Sequence, residues 1–352
     1  MKLTPVAIGD LNLKIPIIQG GMGIGVSLSR LAGSVAKEGG MGIISCAQIG
    51  FSDSLFERAP FKANMKAIEE QYHAAKTIAG TGIVGFNIMC ATFKYEKYVQ
   101  RCVEVGADVI ISGAGLPIHL PELVANSKTK IAPIVSSEKA AKVLLRTWAK
   151  RYNRTADFLV IEGPEAGGHL GFKYDGIQKA IDEMDEEVKK IVAVAKEYGE
   201  KFNCKIPVFF AGGVYDRNDI DHYLSLGCAG VQMATRFVVT EECDAPIAYK
   251  ESYLNATQAD IKIIKSPVGM PGRAIENEFT RTIKTKQIPI TKCRSCLSRD
   301  HCDRKTIPYC ITEMLLNSVT KNPNQGLVFA GSNVFKVNEI TTVPLLMKEL
   351  SK

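Results

Sequence analysis

No apolar stretch in this sequence reaches the roughly 18 residues that a membrane-spanning helix needs, so we expect no membrane span. Aromatic residues are scarce at 7%, with a single tryptophan, which argues against a surface that stacks nucleic-acid bases. The first residues lack the charged-then-apolar layout of a secretion signal, and no tandem repeat or low-complexity tract is present. We therefore expect a cytoplasmic protein that has neither a membrane nor a nucleic acid as partner.

The chain does contain enough apolar material for a large core. It has 352 residues, of which 46% are hydrophobic, as expected of one large soluble domain or of one domain with an appended piece. Its net charge is +7, and the segment 262–305 alone contains eleven Lys or Arg and four acidic residues. Such a segment either attracts an anionic substrate or carrier, or is an ordinary solvated surface.

Eight short apolar runs alternate with spacers that are mostly of helical length. Repeated strand–helix units imply parallel strands with right-handed crossovers. Eight such units predict a (β/α)8 TIM barrel, with an open doubly wound sheet as the alternative fold. In the spacer 181–198, apolar residues follow a helical period, and acidic residues at its start suit the helix dipole. The runs are Ile15–Gln19, Gly42–Ser45, Ile83–Met89, Asp108–Ser112, Ile131–Ser136, Asp157–Gly163, Ile206–Gly212 and Gly230–Thr235.

More than a hundred residues follow the eighth run. We expect a barrel over residues 1–240 and a cap over residues 241–310 beside the barrel mouth. The segment 311–352 is expected to return to the barrel through Gly326–Ser332 and a helix that starts near Val343. The protein is thus predicted to be a TIM barrel with a C-terminal cap.

The turn after the sixth run is rich in glycine and contains one histidine, His169. Glu165 lies four residues before it, and the glycines around it are Gly167, Gly168 and Gly171. Glycine lets the backbone approach a ligand closely, and imidazole titrates near neutral pH. Because TIM-barrel active sites form at the carboxyl ends of the strands, we predict that His169 is a catalytic proton-transfer residue.

Small residues follow the seventh and eighth runs, where TIM barrels often bind phosphate. Gly212 and Gly213 follow the seventh run, and Ala234 and Thr235 follow the eighth. Their backbone N–H groups and the Thr235 hydroxyl can cradle a phosphate. The alternative is that the two glycines only form a tight turn.

Residues at the ends of the first and third runs suit a planar ring. Met22 follows Gly20 and Gly21 and can pack flat against such a ring. Asn87 can donate to and accept from the edge of a heteroaromatic cofactor, or it only caps a turn. The glycines from Gly20 to Gly25 do not form a dinucleotide-binding fingerprint in the required context.

Together, these segments resemble the FMN-dependent nitronate monooxygenase (2-nitropropane dioxygenase) family, which also contains flavin enoyl-acyl-carrier-protein reductases. The likeness spans most of residues 5–240 and extends into Ser266–Arg273 and Gly326–Ser332. The matching segments are Pro16–Met22, Gly85–Asn87, Gly163–His169, Ala211–Gly213 and Gly230–Thr235.

The resemblance implies FMN at the barrel mouth. It implies that the phosphate lies at Gly212, Gly213, Ala234 and Thr235, with Gln232 and Met233 directly before them. It implies that the isoalloxazine ring lies near Gly21, Met22, Asn87, Glu162, Gly167 and Gly168.

The resemblance also implies two candidate reactions. In the monooxygenases, the histidine that matches His169 is a base on the α-carbon of a nitro compound, and the flavin then reacts with O2. In the reductases, the flavin passes hydride from NAD(P)H to an enoyl thioester. We expect the first reaction, with the second as the alternative; a non-catalytic redox or binding barrel is a third hypothesis. The candidate partners are a small-molecule substrate, NAD(P)H, an acyl carrier and a second copy of the chain in a homodimer.

Three positions depart from the pattern of the relatives. Glu162 stands where relatives often have Gln, so an acceptor-only carboxylate there is expected to alter flavin electronics or to titrate abnormally. Ala234 replaces a common Gly but keeps its N–H. The reductases often have an aromatic residue soon after the methionine of the first run, whereas this chain has Gly23–Gly25, which favours the monooxygenase.

Six of the ten cysteines are scattered, and four are clustered with the spacing C-x2-C-x5-C-x7-C. The clustered residues are Cys293, Cys296, Cys302 and Cys310, with His301 adjacent. Four thiolates suit either zinc or an iron–sulfur cluster, although the spacing matches neither standard pattern, and unmetallated thiols are the alternative. The basic residues around them, Lys292, Arg294, Arg299, Arg304 and Lys305, are expected to lower the thiol pKa values.

Overall fold

The computed structural model describes residues 3–298, 302–303 and 305–352, and its centre is a closed barrel of eight parallel strands. The ring closes because the strand Val208–Ala211 pairs with Leu159–Glu162 on one side and with Gly230–Met233 on the other. This confirms the predicted TIM barrel. The alternative, an open doubly wound sheet, is wrong, since such a sheet has two unpaired edges.

The strands of the described residues are numbered in chain order. They are β1 (Val6–Ile8), β2 (Leu11–Leu13), β3 (Ile17–Gln19), β4 (Met41–Ser45), β5 (Ile83–Met89), β6 (Val109–Gly113), β7 (Lys130–Val135), β8 (Leu159–Glu162), β9 (Gly168–His169), β10 (Val208–Ala211), β11 (Gly230–Met233), β12 (Ile261–Lys265) and β13 (Pro271–Ile275). The barrel contains β3 to β8, β10 and β11, which are the eight predicted runs with bounds shifted by a few residues.

Helices connect most of the barrel strands and continue through the C-terminal part. They are α1 (Ser29–Lys37), α2 (Pro60–Ala79), α3 (Tyr95–Glu104), α4 (Leu120–Leu123), α5 (Glu138–Tyr152), α6 (Ile177–Asp182), α7 (Met184–Lys201), α8 (Arg217–Ser225), α9 (Thr235–Val238), α10 (Ile247–Leu254), α11 (Glu278–Thr282), α12 (Ile311–Thr320) and α13 (Val343–Ser351). No helix among the described residues combines the length and apolar character that a membrane crossing requires.

The spacer predicted as one amphipathic helix over 181–198 is two helices, α6 and α7, which meet at Glu183. In α7 the apolar face is as expected, since Val188, Ile191 and Ala195 are buried. Asp185 and its two acidic neighbours occupy the first turn, where they interact favourably with the helix dipole.

The barrel interior is filled by apolar side chains and is closed at its amino end. Ile18, Ile43 and Phe209 are fully buried, and burial of such a side chain contributes about 1.5–3 kcal/mol. The antiparallel pair β1–β2 adds Ile8 and Leu13 to the same cluster. The interior is therefore a packed core, and a ligand site has to form at the carboxyl ends of the strands.

A small antiparallel sheet lies over that carboxyl end. Its strand order is β12–β13–β9, so the short strand that contains His169 leaves the barrel and pairs with β13. In this register Gly272 lies opposite His169, and Arg273 lies opposite Gly168. The cap thereby fixes the backbone on which the predicted catalytic histidine stands.

The last part of the chain packs against helices and strands of the barrel. In α13, Val343 and Leu346 are fully buried in the same cluster as Leu31 of α1. Phe329 and Ala274 form a bridge between the segment 326–332 and β13. The division at residues 240 and 310 into barrel, cap and C-terminal segment stays a prediction.

Candidate active site

Two adjoining cavities, of about 410 and 370 Å³, lie at the carboxyl ends of the barrel strands. Both are lined by Gly21, Asn87, Gly168 and His169, so they form one compartment, here called the mouth cavity. The structure brings seven predicted site residues together at its wall. They are Gly21, Asn87, Glu162, Gly167, Gly168, His169 and Gln232.

A larger cavity of about 900 Å³ lies at the opposite end of the barrel, between α7 and the N-terminal segment. Its wall contains Lys196, Glu200 and Lys205, together with apolar residues. None of the predicted site residues lines it. Because TIM-barrel chemistry takes place at the carboxyl ends of the strands, the mouth cavity is the candidate active site despite its smaller volume.

His169 is held by two residues of the C-terminal part. Its Nε2 lies 2.7 Å from the Ser266 hydroxyl oxygen, and its ring packs edge-on against Phe329 with the ring centroids 5.1 Å apart. Burial lowers the pKa of His169 to about 4. The imidazole is therefore neutral at physiological pH, which is the protonation state that a base requires.

Glu165, whose position four residues before His169 supported the prediction, does not contact it. Its Oε1 accepts a hydrogen bond of 3.0 Å from the Ser332 hydroxyl. The glycine-rich loop is instead held by Arg273, which is 5% exposed and donates to the carbonyl oxygens of Pro164 and Ala166 at 2.6 and 2.7 Å. Charged hydrogen bonds of this kind are among the stronger ones in proteins.

Glu162, at the end of β8, is another titratable residue in the mouth cavity. Burial raises its pKa to about 7, because the surrounding protein disfavours a charged carboxylate. This agrees with the expectation that an acid at this position titrates abnormally. Its neighbour across the cavity wall, Gln232 of β11, is a neutral amide.

The residues predicted to bind phosphate lie beside the mouth cavity, where the C-terminal segment meets β10 and β11. Gly212 and Gly213 have φ values of 107° and 80°, a region that favours glycine. The Thr235 hydroxyl accepts a 3.2 Å hydrogen bond from the Gly331 N–H. Within the described part of the chain, no acceptor is found for the N–H groups of Gly212, Gly213 or Ala234. These donors remain available to an anion.

Six of the predicted cofactor-binding residues line neither part of the mouth cavity: the four phosphate-site residues just described, Met22 and Met233. Met22 is not among the lining residues of either part, and its N–H donates to the Ser27 hydroxyl at 2.7 Å. Met233 is 3% exposed and packs in the outer core around the barrel. The predicted contact of these two residues with a cofactor stays a prediction.

Several residues in the wall of the mouth cavity or next to it were not identified as site residues from the sequence. Ser266 and Phe329 both lie in segments that resemble the family, so the motif could have indicated them. Met89 and Ile311 also line the mouth cavity but belong to no such motif. Their contribution depends on how β5 and α12 pack against the cap.

The four-cysteine segment reaches the same cavity. Cys296 lines the wall, and its carbonyl accepts a 3.2 Å hydrogen bond from the Phe93 N–H. In the described ranges, no group of three or more His, Cys, Asp or Glu side chains is arranged to hold a metal ion. His301, Arg299 and Arg304 lie outside the described residues.

The expectation that basic neighbours lower the thiol pKa values is wrong for Cys296 and Cys310. Burial raises the pKa of Cys296 to about 11, and it also raises that of Cys310. Lys292 and Arg294 form ion pairs with Glu57 instead. Desolvation therefore outweighs the basic surroundings at these thiols.

Proteins of similar sequence include relatives of the kind that the motifs indicated. A probable nitronate monooxygenase of Staphylococcus saprophyticus is 25% identical over 79% of this chain and 80% of its own length. A (3aS,4S,5R,7aS)-5-hydroxy-7a-methyl-1-oxo-octahydro-1H-indene-4-carboxyl-CoA dehydrogenase of Mycobacterium tuberculosis is 26% identical over 78% of this chain and 67% of its own.

Two solved structures share the fold. FabK from Thermotoga maritima has a TM-score of 0.72 at 24% identity and covers 95% of this chain and 91% of its own. Nitroalkane oxidase from Streptomyces ansochromogenes has a TM-score of 0.66 at 17% identity, with 96% and 94% covered. The family model "Nitronate monooxygenase" matches residues 5–352. The chain therefore belongs to the nitronate monooxygenase family and is a flavin-dependent oxidoreductase.

Proposed function

We propose that the protein binds FMN at the mouth cavity and oxidises alkyl nitronates or nitroalkanes with O2, with His169 as the base. One observation carries this proposal: a neutral, half-buried imidazole faces the same cavity as Asn87 and Gln232, beside backbone N–H groups that have no acceptor among the described residues. When bound, FMN supplies the electron acceptor and the centre that reacts with O2.

The residues at the cavity fit such a cofactor. Gly212, Gly213, Ala234 and Thr235 would hold the phosphate through backbone N–H groups and one hydroxyl. The small residues Gly21, Gly167 and Gly168 leave room for a flat ring beside Asn87, Glu162 and Gln232. A Cβ at position 167 would lie 2.5 Å from the carbonyl carbon of Ala330. The close approach of this backbone therefore leaves no space for a side chain at position 167.

His169 would remove the proton from the α-carbon of a neutral nitroalkane. Ser266 engages Nε2 and thereby fixes the orientation of the ring, while Phe329 excludes water from one edge. A nitronate has already lost that proton and needs no base. The two substrate forms therefore separate the role of His169 from flavin binding.

Oxygen uptake tests the proposal. We expect the purified protein with FMN to consume O2 when it is given a nitroalkane or its nitronate, without any nicotinamide. Oxygen consumption that depends strictly on NADH or NADPH would contradict the monooxygenase. The same assay with FMN-free protein is the control for reactions of substrate and buffer.

The second candidate function is an NAD(P)H-dependent reductase of enoyl thioesters. It is favoured by a groove of about 660 Å³ next to the mouth cavity, which contains Lys173, Tyr174 and Lys265 beside Ser266. Two lysines at that position suit an anionic carrier. Rapid bleaching of the flavin by NADH or NADPH without air, followed by reoxidation with an enoyl thioester, would favour this alternative.

The remaining expectations stay predictions. A metal centre at Cys293, Cys296, Cys302 and Cys310 is tested by iron, sulfide and zinc analysis of protein purified without air. An absorption spectrum of the same sample distinguishes flavin from iron–sulfur bands. Gel filtration with light scattering tests for a homodimer.

A further inference from the structure

Glu162 is a half-buried acid in the candidate active site, and its carboxyl group has no partner among the residues that the structure describes. It is the last residue of β8, and it lines the mouth cavity together with His169 and Gln232. No hydrogen bond or ion pair to its carboxyl group is found among the described residues. A group placed in this way interacts with whatever fills the cavity.

Among the residues that the structure describes, no cation acts on this carboxyl group from the elements packed around it. Ala211 of β10 lies opposite Glu162, and Val135 of β7 lies opposite the preceding residue, Ile161; both are apolar. The other groups on this wall are neutral: the hydroxyls of Ser136 and Ser137 after β7, and the amide of Gln232 in β11. His169 of β9 is neutral because burial lowers its pKa to about 4.

The charged side chains of the adjoining loop and cap are engaged elsewhere. Arg273 donates to the carbonyl oxygens of Pro164 and Ala166. Glu165 accepts from Ser332. Neither residue compensates a charge on Glu162.

We propose that Glu162 takes up one proton from solvent when FMN binds, so that the occupied site contains a neutral carboxyl group. This inference rests on the proposed function, because FMN is the ligand that would cover the residue. FMN would shield Glu162 from water without bringing a positive charge, and its phosphate group is negative. Desolvation and like charge both disfavour the ionised form of the carboxyl group.

The protonation state before binding makes this uptake observable. Burial raises the pKa of Glu162 to about 7, so the carboxyl group is largely ionised at pH 8 in the FMN-free protein. A further rise of the pKa on binding requires a proton from solvent at that pH. A protonated carboxyl group both donates and accepts, as an amide does, so Glu162→Gln is a matched mimic of the proposed bound state.

Calorimetry of FMN binding to the full chain tests the proposal. Titrations at pH 8 in two buffers with different ionisation enthalpies give the number of protons taken up per FMN. We expect the wild type to take up at least about half a proton more than Glu162→Gln. Phosphate protonation contributes equally to both proteins and cancels in the difference.

The pH dependence of affinity gives a second measurement. Between pH 7 and 9, the wild-type Kd for FMN, followed by flavin fluorescence, should rise by up to about tenfold per pH unit relative to the variant. An equal number of protons in the two proteins, or net release by the wild type, would overturn the inference. Absence of FMN binding in both proteins would instead overturn the proposed function.

The wild type alone suffices if the glutamine variant does not fold. Riboflavin contains the same ring without the phosphate, so it serves as the probe at pH 6 and at pH 8. We expect proton uptake at pH 8 and far less at pH 6, where Glu162 is already protonated. Equal uptake at the two pH values would contradict the proposal.

Discussion

The imidazole Nε2 of His169 and the hydroxyl oxygen of Ser266 lie 2.7 Å apart, although the two residues are separated by 97 positions in the chain. This hydrogen bond joins the loop after β8 to the hairpin β12–β13. Position 169 also pairs with Gly272 through the backbone. The orientation of the proposed base is thus set by the cap and not by its own loop.

Ser266→Ala should weaken proton abstraction without removing the base. The loss of one hydrogen bond of about 1 kcal/mol predicts a fall of about fivefold to tenfold in kcat for a neutral nitroalkane. Turnover of the corresponding nitronate should change little, since no proton is abstracted. Steady-state kinetics with both substrates measure this, and Ser252→Ala, which removes an exposed hydroxyl bonded to Ala248, is the control.

His169→Ala should retain FMN but lose turnover of neutral nitroalkanes by about 10²–10⁴-fold, the usual contribution of a general base. Nitronate turnover should fall much less. Flavin content from the absorption spectrum and oxygen uptake with each substrate measure the two effects. His222→Ala, at an exposed residue paired with Asp185, should behave like the wild type; unchanged nitroalkane turnover in His169→Ala would refute its role.

Glu162 should make the FMN-free protein less stable as the pH rises. Its pKa is about 7 in the folded protein and near 4.5 when exposed, so the folded state binds more protons between these values and loses stability across that window. Replacement by Gln should therefore raise the free energy of unfolding at pH 8 by up to about 3 kcal/mol, with little pH dependence left from this position.

Urea unfolding of flavin-free wild type and Glu162→Gln at pH 4.5 and pH 8 measures this. The difference between the two proteins should be larger at pH 8 than at pH 4.5. The exposed Glu251→Gln variant is the control. A difference that does not depend on pH would show that Glu162 has the same pKa in the folded and unfolded chains.

Gly213→Ala should weaken FMN binding as well as the fold. Alanine at a φ of 80° costs about 1–2 kcal/mol, and its Cβ would lie 2.9 Å from the Glu165 carboxylate beside the proposed phosphate site. Gly80→Ala is a matched control, because Gly80 also has a positive φ of 60°, and no atom lies within 4 Å of the added Cβ. Both variants should lose stability through the unfavourable φ, Gly213→Ala by more because of the added contact with Glu165, and only Gly213→Ala should raise the Kd for FMN.

The sequence predicted the barrel and much of its mouth because these depend on local order. Strand-forming runs alternate with helical segments, and parallel strands place all their carboxyl ends on one side. Asn87, Glu162 and His169 each follow or end such a run, so their convergence follows from topology alone. The same reasoning placed Gly212 and Thr235 side by side.

The hydrogen-bond partners and pKa values of the site residues could not be predicted from the order of strands and helices. Glu165 is only four residues from His169 in the sequence, yet its carboxylate is hydrogen-bonded to Ser332. The His169 imidazole is hydrogen-bonded to Ser266. Basic residues next to Cys296 suggested a lowered thiol pKa, but burial raises it. Proximity along the chain predicts neither the orientation of a side chain nor its degree of desolvation.

The sequence by itself thus determined the barrel, the family and the side of the barrel on which chemistry takes place. Only the tertiary structure decided which groups lie together there: a neutral histidine held by the cap, and an acid that has no partner among the described residues. The physical reason is that strand order follows from local pattern, whereas hydrogen-bond partners and pKa values depend on burial by segments far away in the chain.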